Sequence, residues 1–168
     1  MSKPIKLEIN PIEYDYEDYI SAYFQSGGLY VERSIIYRET EEILELDIIT
    51  TDFLEDSATK KLVEIKSGKW GFSEIFKVKG WLFYLKIDEG IFIVKRERDS
   101  FKYFEKKSKE LGVFLVNNSD LKKTNDSLKI FLHQKADDNE IETLRFSYLL
   151  ERKLQKKMII ESPGLEKY

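Results

Sequence analysis

The chain has 168 residues and a formal net charge of −3, with 42% hydrophobic and 14% aromatic residues. This length suits one domain with its own core, and the composition excludes an intrinsically disordered chain. The absence of cysteine excludes disulfides and thiolate zinc sites, and the single histidine, His133, excludes a multi-histidine metal cage. No apolar run reaches the roughly 20 residues of a membrane helix and no hydrophobic signal segment opens the chain, so we expect a cytoplasmic protein.

Charge is distributed unevenly along the chain. Residues 1–60 carry 5 Lys/Arg against 14 Asp/Glu, whereas residues 61–168 carry 23 against 17. An acidic half able to hold cations beside a basic half able to hold phosphate suits a metal-dependent enzyme acting on nucleic acid. Clustering of acidic side chains in a highly charged chain explains the same asymmetry equally well.

The first half of the chain predicts one helix followed by three strands. Apolar residues recur at helical spacing over 12–26, and Gly27-Gly28 end that helix. Runs of β-branched and aromatic side chains, with a charged turn at 39–42, predict three strands, at 29–38, 43–50 and 61–67.

The second half alternates helices and strands. Its predicted elements are a helix at 74–87 capped by Ser73, a strand at 91–96, a basic helix at 99–111, a strand at 113–118, a short helix with a strand at 128–133, and a long helix capped by Asp137, Asp138 or Asn139 and reaching about 157. This alternation predicts an α/β fold with a parallel or mixed central sheet flanked by helices. We expect one domain over 1–168, with its core at about 12–118 and a helical C-terminal arm at about 119–168.

Charged side chains interrupt two of the apolar strands. Side chains two positions apart point to one face of a strand, so Glu64 and Lys66 share a face. Asp47 lies in the preceding strand, also among apolar neighbours. Burying such charges is costly unless they meet water, a metal ion or each other. If the two strands pair, Asp47 and Glu64 come within reach of one cation.

Metal-dependent phosphodiester hydrolysis uses two carboxylates beside a lysine. Carboxylate oxygens bind Mg²⁺ or Mn²⁺, which polarises the phosphate and helps to deprotonate water. A lysine can orient that water and stabilise charge on the phosphoryl group. We therefore expect Asp47 and Glu64 to be metal ligands, with the Ile65 backbone carbonyl as a further candidate, and Lys66 to be the catalytic lysine. Salt bridges between solvent-facing charges on edge strands are the alternative.

The order helix, strand, Asp-bearing strand, Glu-x-Lys strand, helix resembles the PD-(D/E)XK, or restriction-endonuclease-like, nuclease superfamily. The resemblance covers roughly residues 13–95 and depends on ELD at 45–47, VEIKSG at 63–68 and the 17 positions from Asp47 to Glu64. Leu46 occupies the position of the proline that names the motif, which many members also lack. The resemblance implies a restriction-endonuclease-like fold and Mg²⁺-dependent cleavage of nucleic acid, with Mn²⁺ able to substitute.

A glutamate on the first helix completes the metal site in many members of this superfamily, about eleven residues before a glycine that opens the first strand. Glu17 stands eleven residues before Gly28 and resembles that residue, which makes it a fourth candidate catalytic residue and metal ligand. Glu13, one helical turn earlier, and Glu32, on the following strand, are the alternatives.

Basic residues are concentrated after the third strand. The candidates for binding a nucleic acid backbone are Lys69, Lys77, Lys95, Arg96, Arg98, Lys102, Lys106 and Lys109. On a helix, Lys102, Lys106 and Lys109 share one face. A solvated charged face without a ligand accounts for the same pattern.

These observations support three functional hypotheses. The first is a Mg²⁺-dependent endonuclease whose partner is DNA, acting as a homodimer or in a larger complex, with a role in phage defence implied by the family. The second is a catalytically silent nuclease-like module that binds nucleic acid or protein. The third is a small α/β adaptor whose charged strands are coincidental, and metal titration separates it from the others.

Overall fold

A five-stranded sheet lies between two layers of helices in the computed structural model, which describes residues 6–38, 42–54 and 57–161. The strands are β1 (Tyr30–Arg38), β2 (Glu42–Asp52), β3 (Thr59–Lys66), β4 (Glu89–Val94) and β5 (Val113–Asn117). The helices are α1 (Tyr14–Ser26), α2 (Phe72–Leu85), α3 (Phe101–Glu110), α4 (Thr124–Leu128) and α5 (Asp138–Glu161), with 3-10 turns at Leu121–Lys123 and Lys129–Phe131. Most of the turn predicted at 39–42 lies outside the described residues.

The sheet is mixed, and its spatial order is β1-β2-β3-β4-β5. β1, β2 and β3 pair antiparallel, whereas β3, β4 and β5 pair parallel. The parallel pairs follow from the helices α2 and α3, which carry the chain back between successive strands. The predicted α/β class with a mixed central sheet is confirmed.

Two apolar cores cover the two faces of the sheet. On one face, Tyr16, Ile20 and Phe24 of α1 pack on the sheet together with residues of α4 and α5. On the other face, α2 buries Ile75, Val78 and Leu82 in the apolar stripe that its sequence predicts. The helical spacing predicts a first helix that begins at Ile12, but Ile12 precedes α1 and is exposed. That part of the prediction is wrong because the helix begins two residues later.

Two further local predictions are wrong. Ser73 does not cap α2; Gly71 precedes the helix, and its N–H donates to the Glu74 carboxylate at 2.8 Å. A glutamate at the third position of a helix commonly accepts from the backbone N–H of the residue that precedes the helix, as Glu74 does here. The strand predicted at 128–133 is the end of α4 and a 3-10 turn, from which Phe131 packs against Phe114 at a ring distance of 5.4 Å. A short run of apolar residues predicts a strand, but the same run also occurs in a compact turn whose side chains pack into the core.

The last helix packs against the first one. Tyr148 donates from its hydroxyl to Gln25, and Ser26 donates to Glu140 at 2.8 Å. Asp137, one of the three predicted caps, accepts a hydrogen bond from the Glu140 N–H at 3.0 Å. The predicted C-terminal arm therefore contributes to the α1 layer. No helix in the described part of the chain is both long enough and apolar enough to cross a membrane.

An ion-pair network ties β1, α1 and α5 together around a buried carboxylate. Asp18 is contacted by Arg33 at 2.9 Å and by Arg152 at 2.6 Å, and the Arg33 guanidinium stacks on the Tyr148 ring at 3.6 Å.

Removing one partner from a buried carboxylate leaves its charge undercompensated. Arg33→Met should therefore lower the free energy of unfolding in urea by about 2 kcal/mol. Lys107→Met removes an exposed pair with Glu110 and should produce no measurable change; equal effects would contradict this account.

Candidate functional site

A cleft of about 590 Å³ opens where β3 ends and β2 begins. It lies between the two helical layers, since α1 contributes residues on one side and α2 on the other. Its lining residues are Glu13, Tyr14, Glu17, Ser34, Leu44, Glu45, Leu46, Asp47, Glu64, Lys66, Lys77 and Trp81. The four side chains predicted to be catalytic, Glu17, Asp47, Glu64 and Lys66, thus line one cavity.

Asp47 lies where the β2–β3 ladder stops. The paired register ends at Ile48–Val63, one position before Asp47 and Glu64 would face each other. Beyond that pair, Asp47 Oδ2 accepts a hydrogen bond from the Ile65 N–H at 2.7 Å, so a side chain takes up a backbone donor of β3. Burial raises the pKa of Asp47, and the Ile65 hydrogen bond opposes this.

Glu64 is almost fully buried, at 1% exposure, within the sheet. Its neighbours Val63 and Ile65 belong to the core on the α1 side, so the Glu64 side chain points to the α2 side. Its Oε1 lies 3.2 Å from Lys66 Nζ and 3.7 Å from Lys77 Nζ. Its Oε2 is buried and has no hydrogen-bond partner among the described residues. Burial and the nearby Asp47 raise the pKa of Glu64 to about 7.

Glu17 and Glu13 both reach the cleft from the first helix and the residue before it, whereas Glu32 does not line it. Glu17 is the more enclosed of the two, and burial together with Asp47 raises its pKa to about 7. Glu13 immediately precedes α1 and is exposed. The structure therefore brings Glu17 into the electrostatic neighbourhood of Asp47 and Glu64 and leaves Glu13 at the mouth of the cleft.

Lys66 and Lys77 supply positive charge to the cleft from β3 and α2. Burial lowers the pKa of Lys66, but the Glu64 and Asp47 carboxylates more than offset this and raise it above its ordinary value. Lys66 is therefore held as a cation. Lys77 lies 4.1 Å above the Trp81 ring, which fixes its stem while its ammonium faces Glu64.

Ser34 is a lining residue that the sequence gives no reason to select. It sits in β1 with a φ of 49°, in the left-handed region that serine seldom adopts. β1 changes face there, since Val31 packs on the α1 side and Ile35 on the α2 side. Across from Ser34, β2 changes face at Asp47, because Leu46 and Ile48 also pack on opposite sides. The irregularity in both strands turns Asp47 into the cleft, and strain of this kind is concentrated at functional sites.

The predicted nucleic-acid-binding residues divide into three groups. Five of them are exposed outside the cleft: Lys69, Arg96, Lys102, Lys106 and Lys109. Two make contacts within the fold, because Lys95 Nζ donates to the Pro11 carbonyl at 2.5 Å and Arg98 donates to the Trp70 carbonyl at 2.6 Å. The remaining one, Lys77, lines the cleft.

The raised pKa of Glu64 predicts a pH-dependent stability. The folded chain keeps this proton up to about pH 7, whereas the ordinary pKa is 4.5. The protonated carboxyl therefore stabilises the native state below pH 4.5, and this contribution is lost as the pH rises through about 7. Glu64→Gln cannot ionise and should be more stable than wild type by on the order of 2 kcal/mol at pH 8, but not at pH 4.5.

Urea unfolding in EDTA at both pH values measures this difference. Glu105→Gln, on the exposed side of α3, provides the control and should follow the wild type at both. A difference between Glu64→Gln and wild type that did not change with pH would contradict a proton held on Glu64.

Comparison with known proteins gives a likeness in fold only. No protein-family model and no curated protein matches the chain. The crystal structure of a protein of unknown function, AF1548, is similar with a TM-score of 0.51 and 13% sequence identity, over 66% of this chain and 60% of that one. The match spans less than two thirds of the length of that protein, and at this identity it bears on the fold alone.

Proposed function

We propose that this protein is a Mg²⁺-dependent endonuclease of the PD-(D/E)XK superfamily that hydrolyses phosphodiester bonds in DNA. One observation carries the proposal: three carboxylates from three separate elements and two lysines line one cleft, with one Glu64 oxygen buried and unpartnered among the described residues. A fold has no structural need to gather Glu17, Asp47 and Glu64, because each raises the cost of ionising the others. A cation removes that cost.

The topology supports the same proposal. A helix, an antiparallel β1-β2-β3 meander, and a helix leading into the parallel strand β4 follow one another in the order expected of a restriction-endonuclease-like core. In this core the Asp-bearing and Glu-x-Lys strands are neighbours, with Asp47 and Glu64 at the position where they separate. Fold by itself does not establish an activity, so the proposal depends on the side chains in the cleft.

The donor set fits a hard cation. It consists of oxygen donors, and Asp47 and Glu64 are the principal ligands, with Glu17 and the Ile65 carbonyl as the further ones. In the described residues, no three acidic or histidine side chains are grouped closely enough to form a ready-made metal site. Mg²⁺ commonly uses only one or two carboxylates and keeps several waters, so a pair of carboxylates with an accessible cleft meets its requirements.

The bound cation would polarise the phosphate and lower the pKa of the attacking water. Lys66, held in its charged form 3.2 Å from Glu64, stabilises the negative charge that develops on the phosphoryl oxygens. Lys77 adds a second positive charge that Trp81 keeps in place. Glu17 and Glu64 lose their protons near pH 7, so metal binding and cleavage should both increase as the pH rises through about 7.

Cleavage assays test the proposal. The substrates are supercoiled plasmid, linear duplex, single-stranded DNA and RNA, each with Mg²⁺, Mn²⁺ or EDTA. We expect cleavage of DNA with either cation and none in EDTA. Absence of hydrolysis of every substrate, with nucleic acid or protein binding retained, would overturn the proposal in favour of the silent nuclease-like module. Absence of any metal-induced rise in melting temperature would exclude metal binding as well.

A further inference from the structure

Exposed aromatic rings recur along the side of α2 that faces away from the sheet. Phe76 is 56% exposed and Phe83 is 86% exposed. Because they stand two helical turns apart, they form one row, directed away from the buried Val78 and Leu82. Large apolar side chains gathered on one exposed face mark a binding surface more often than single scattered ones.

Gly80 leaves a gap beside this row of rings. With about 3.6 residues per turn, Gly80 lies between the Phe76–Phe83 row and a second row formed by Lys77 and Tyr84. A Cβ built on Gly80 would meet no atom of the described residues within 4 Å. Glycine inside a helix is less favourable than alanine, and no contact among the described residues accounts for it here. A flat ligand can therefore approach the helix backbone between the two rows. We call these five residues the outer face of α2.

The surroundings of this outer face are basic, and the face is continuous with the cleft. Residues 69–86 contain one acidic residue, Glu74, and four lysines, Lys69, Lys77, Lys79 and Lys86. Glu74 already accepts a hydrogen bond from the Gly71 N–H at 2.8 Å. Lys77 belongs to the second row and also lines the cleft, where its ammonium lies 3.7 Å from Glu64. The outer face therefore suits an anionic ligand that carries flat apolar groups and also enters the cleft.

We propose that the outer face of α2 binds an unpaired segment of the nucleic acid that the cleft cleaves, with bases stacked on Phe76 and Phe83 and the backbone beside Lys77. Aromatic side chains stack on unpaired bases, whereas in a duplex each base is covered by its neighbours. A positively charged surface that carries exposed rings is the arrangement by which proteins bind single strands. The inference rests on the proposed function, because it names the substrate class: DNA with a single-stranded segment next to the scissile phosphate, as in a fork or a flap.

Fluorescence anisotropy in EDTA tests this binding without requiring cleavage. The probes are a labelled oligothymidine of about 20 nucleotides and a labelled duplex of about 20 base pairs. The wild type should bind the single strand more tightly than the duplex. Phe83→Ala should raise the Kd for the single strand about 10-fold and reduce this preference, because it removes one stacking ring. Gly80→Leu fills the gap between the rows and should have a similar effect, whereas Phe83→Trp retains a ring and should keep the preference.

Two further variants separate stacking from other surface effects. Ile130→Ala removes an apolar side chain that is 71% exposed outside this face, and it should change neither Kd. Lys102→Met removes an exposed cation of α3. Because contacts with phosphate do not depend on unpaired bases, it should change both Kd values by the same factor and leave the preference intact.

Equal affinity of the wild type for the two probes would overturn the inference, and so would a Phe83→Ala chain that binds like Ile130→Ala. A doubling of the 20.0 kDa mass in sedimentation equilibrium that Phe83→Ala abolishes would instead assign the face to a second copy. A chain that cleaves duplex DNA without preferring the single strand would keep the proposed function and lose this inference. A chain that shows the preference but cleaves no nucleic acid with Mg²⁺ would keep the binding face and lose the nuclease activity.

Discussion

Asp47→Asn should abolish Mg²⁺-dependent cleavage and leave the fold intact. The substitution removes a ligand charge, and metal assistance contributes several kcal/mol of transition-state stabilisation, so loss of the metal should lower the rate by about 10³-fold or more. The amide oxygen of asparagine can still accept the Ile65 N–H that Asp47 Oδ2 accepts at 2.7 Å. Because burial raises the pKa of Asp47, the metal-free stability should be unchanged or higher.

Cleavage rate against Mg²⁺ concentration, together with urea unfolding in EDTA, measures both effects. Asp47→Ala is the matched control, because it removes the charge and the hydrogen-bond acceptor together. It should be equally inactive and, unlike Asp47→Asn, should lose about 1–3 kcal/mol of stability. If Asp47→Asn were destabilised as much as Asp47→Ala, the charge of Asp47 would be structural and the nuclease proposal would lose its first ligand.

Lys66→Met should slow cleavage by about 10²-fold or more while retaining metal binding. The substitution keeps most of the aliphatic stem and removes the cation nearest to Glu64. The Mg²⁺ concentration for half-maximal activity should stay the same or fall, because a positive neighbour of the ligands is removed. Removal of that cation should also raise the pKa of Glu64 further, so the residual activity should require a higher pH than that of the wild type.

Lys69→Met provides the control for Lys66→Met. Lys69 is exposed three residues beyond Lys66, and its loss should reduce affinity for nucleic acid without changing the rate at saturation. A Lys66→Met enzyme that regained wild-type activity at high Mg²⁺ would indicate a role in metal binding instead. A wild-type rate under all conditions would remove Lys66 from the reaction.

The sequence alone determined most of the secondary structure and was sufficient to select Asp47 and Glu64, two of the carboxylates that line the cleft. Each strand that forms the sheet lies within about two residues of its predicted bounds, because a run of β-branched and aromatic residues is a local property of the sequence. The alternation of side chains along a strand placed Glu64 and Lys66 on one face, and the apolar surroundings of Asp47 marked it as exceptional. These inferences succeeded because a charge in an apolar strand is unfavourable wherever the strand lies, and so carries information without knowledge of the fold.

Only the tertiary structure decided which other side chains line the cleft with Asp47, Glu64 and Lys66. Helical spacing puts Glu13 and Glu17 one turn apart, and the way α1 meets the end of β3 makes Glu17 the more enclosed. Ser34 enters the cleft because both strands change face beside it, which no residue preference encodes. Lys95 belongs to a basic run in the sequence, but the chain folds it onto the Pro11 carbonyl. Contacts between residues distant in sequence depend on the packing of whole elements, and local patterns do not specify that packing.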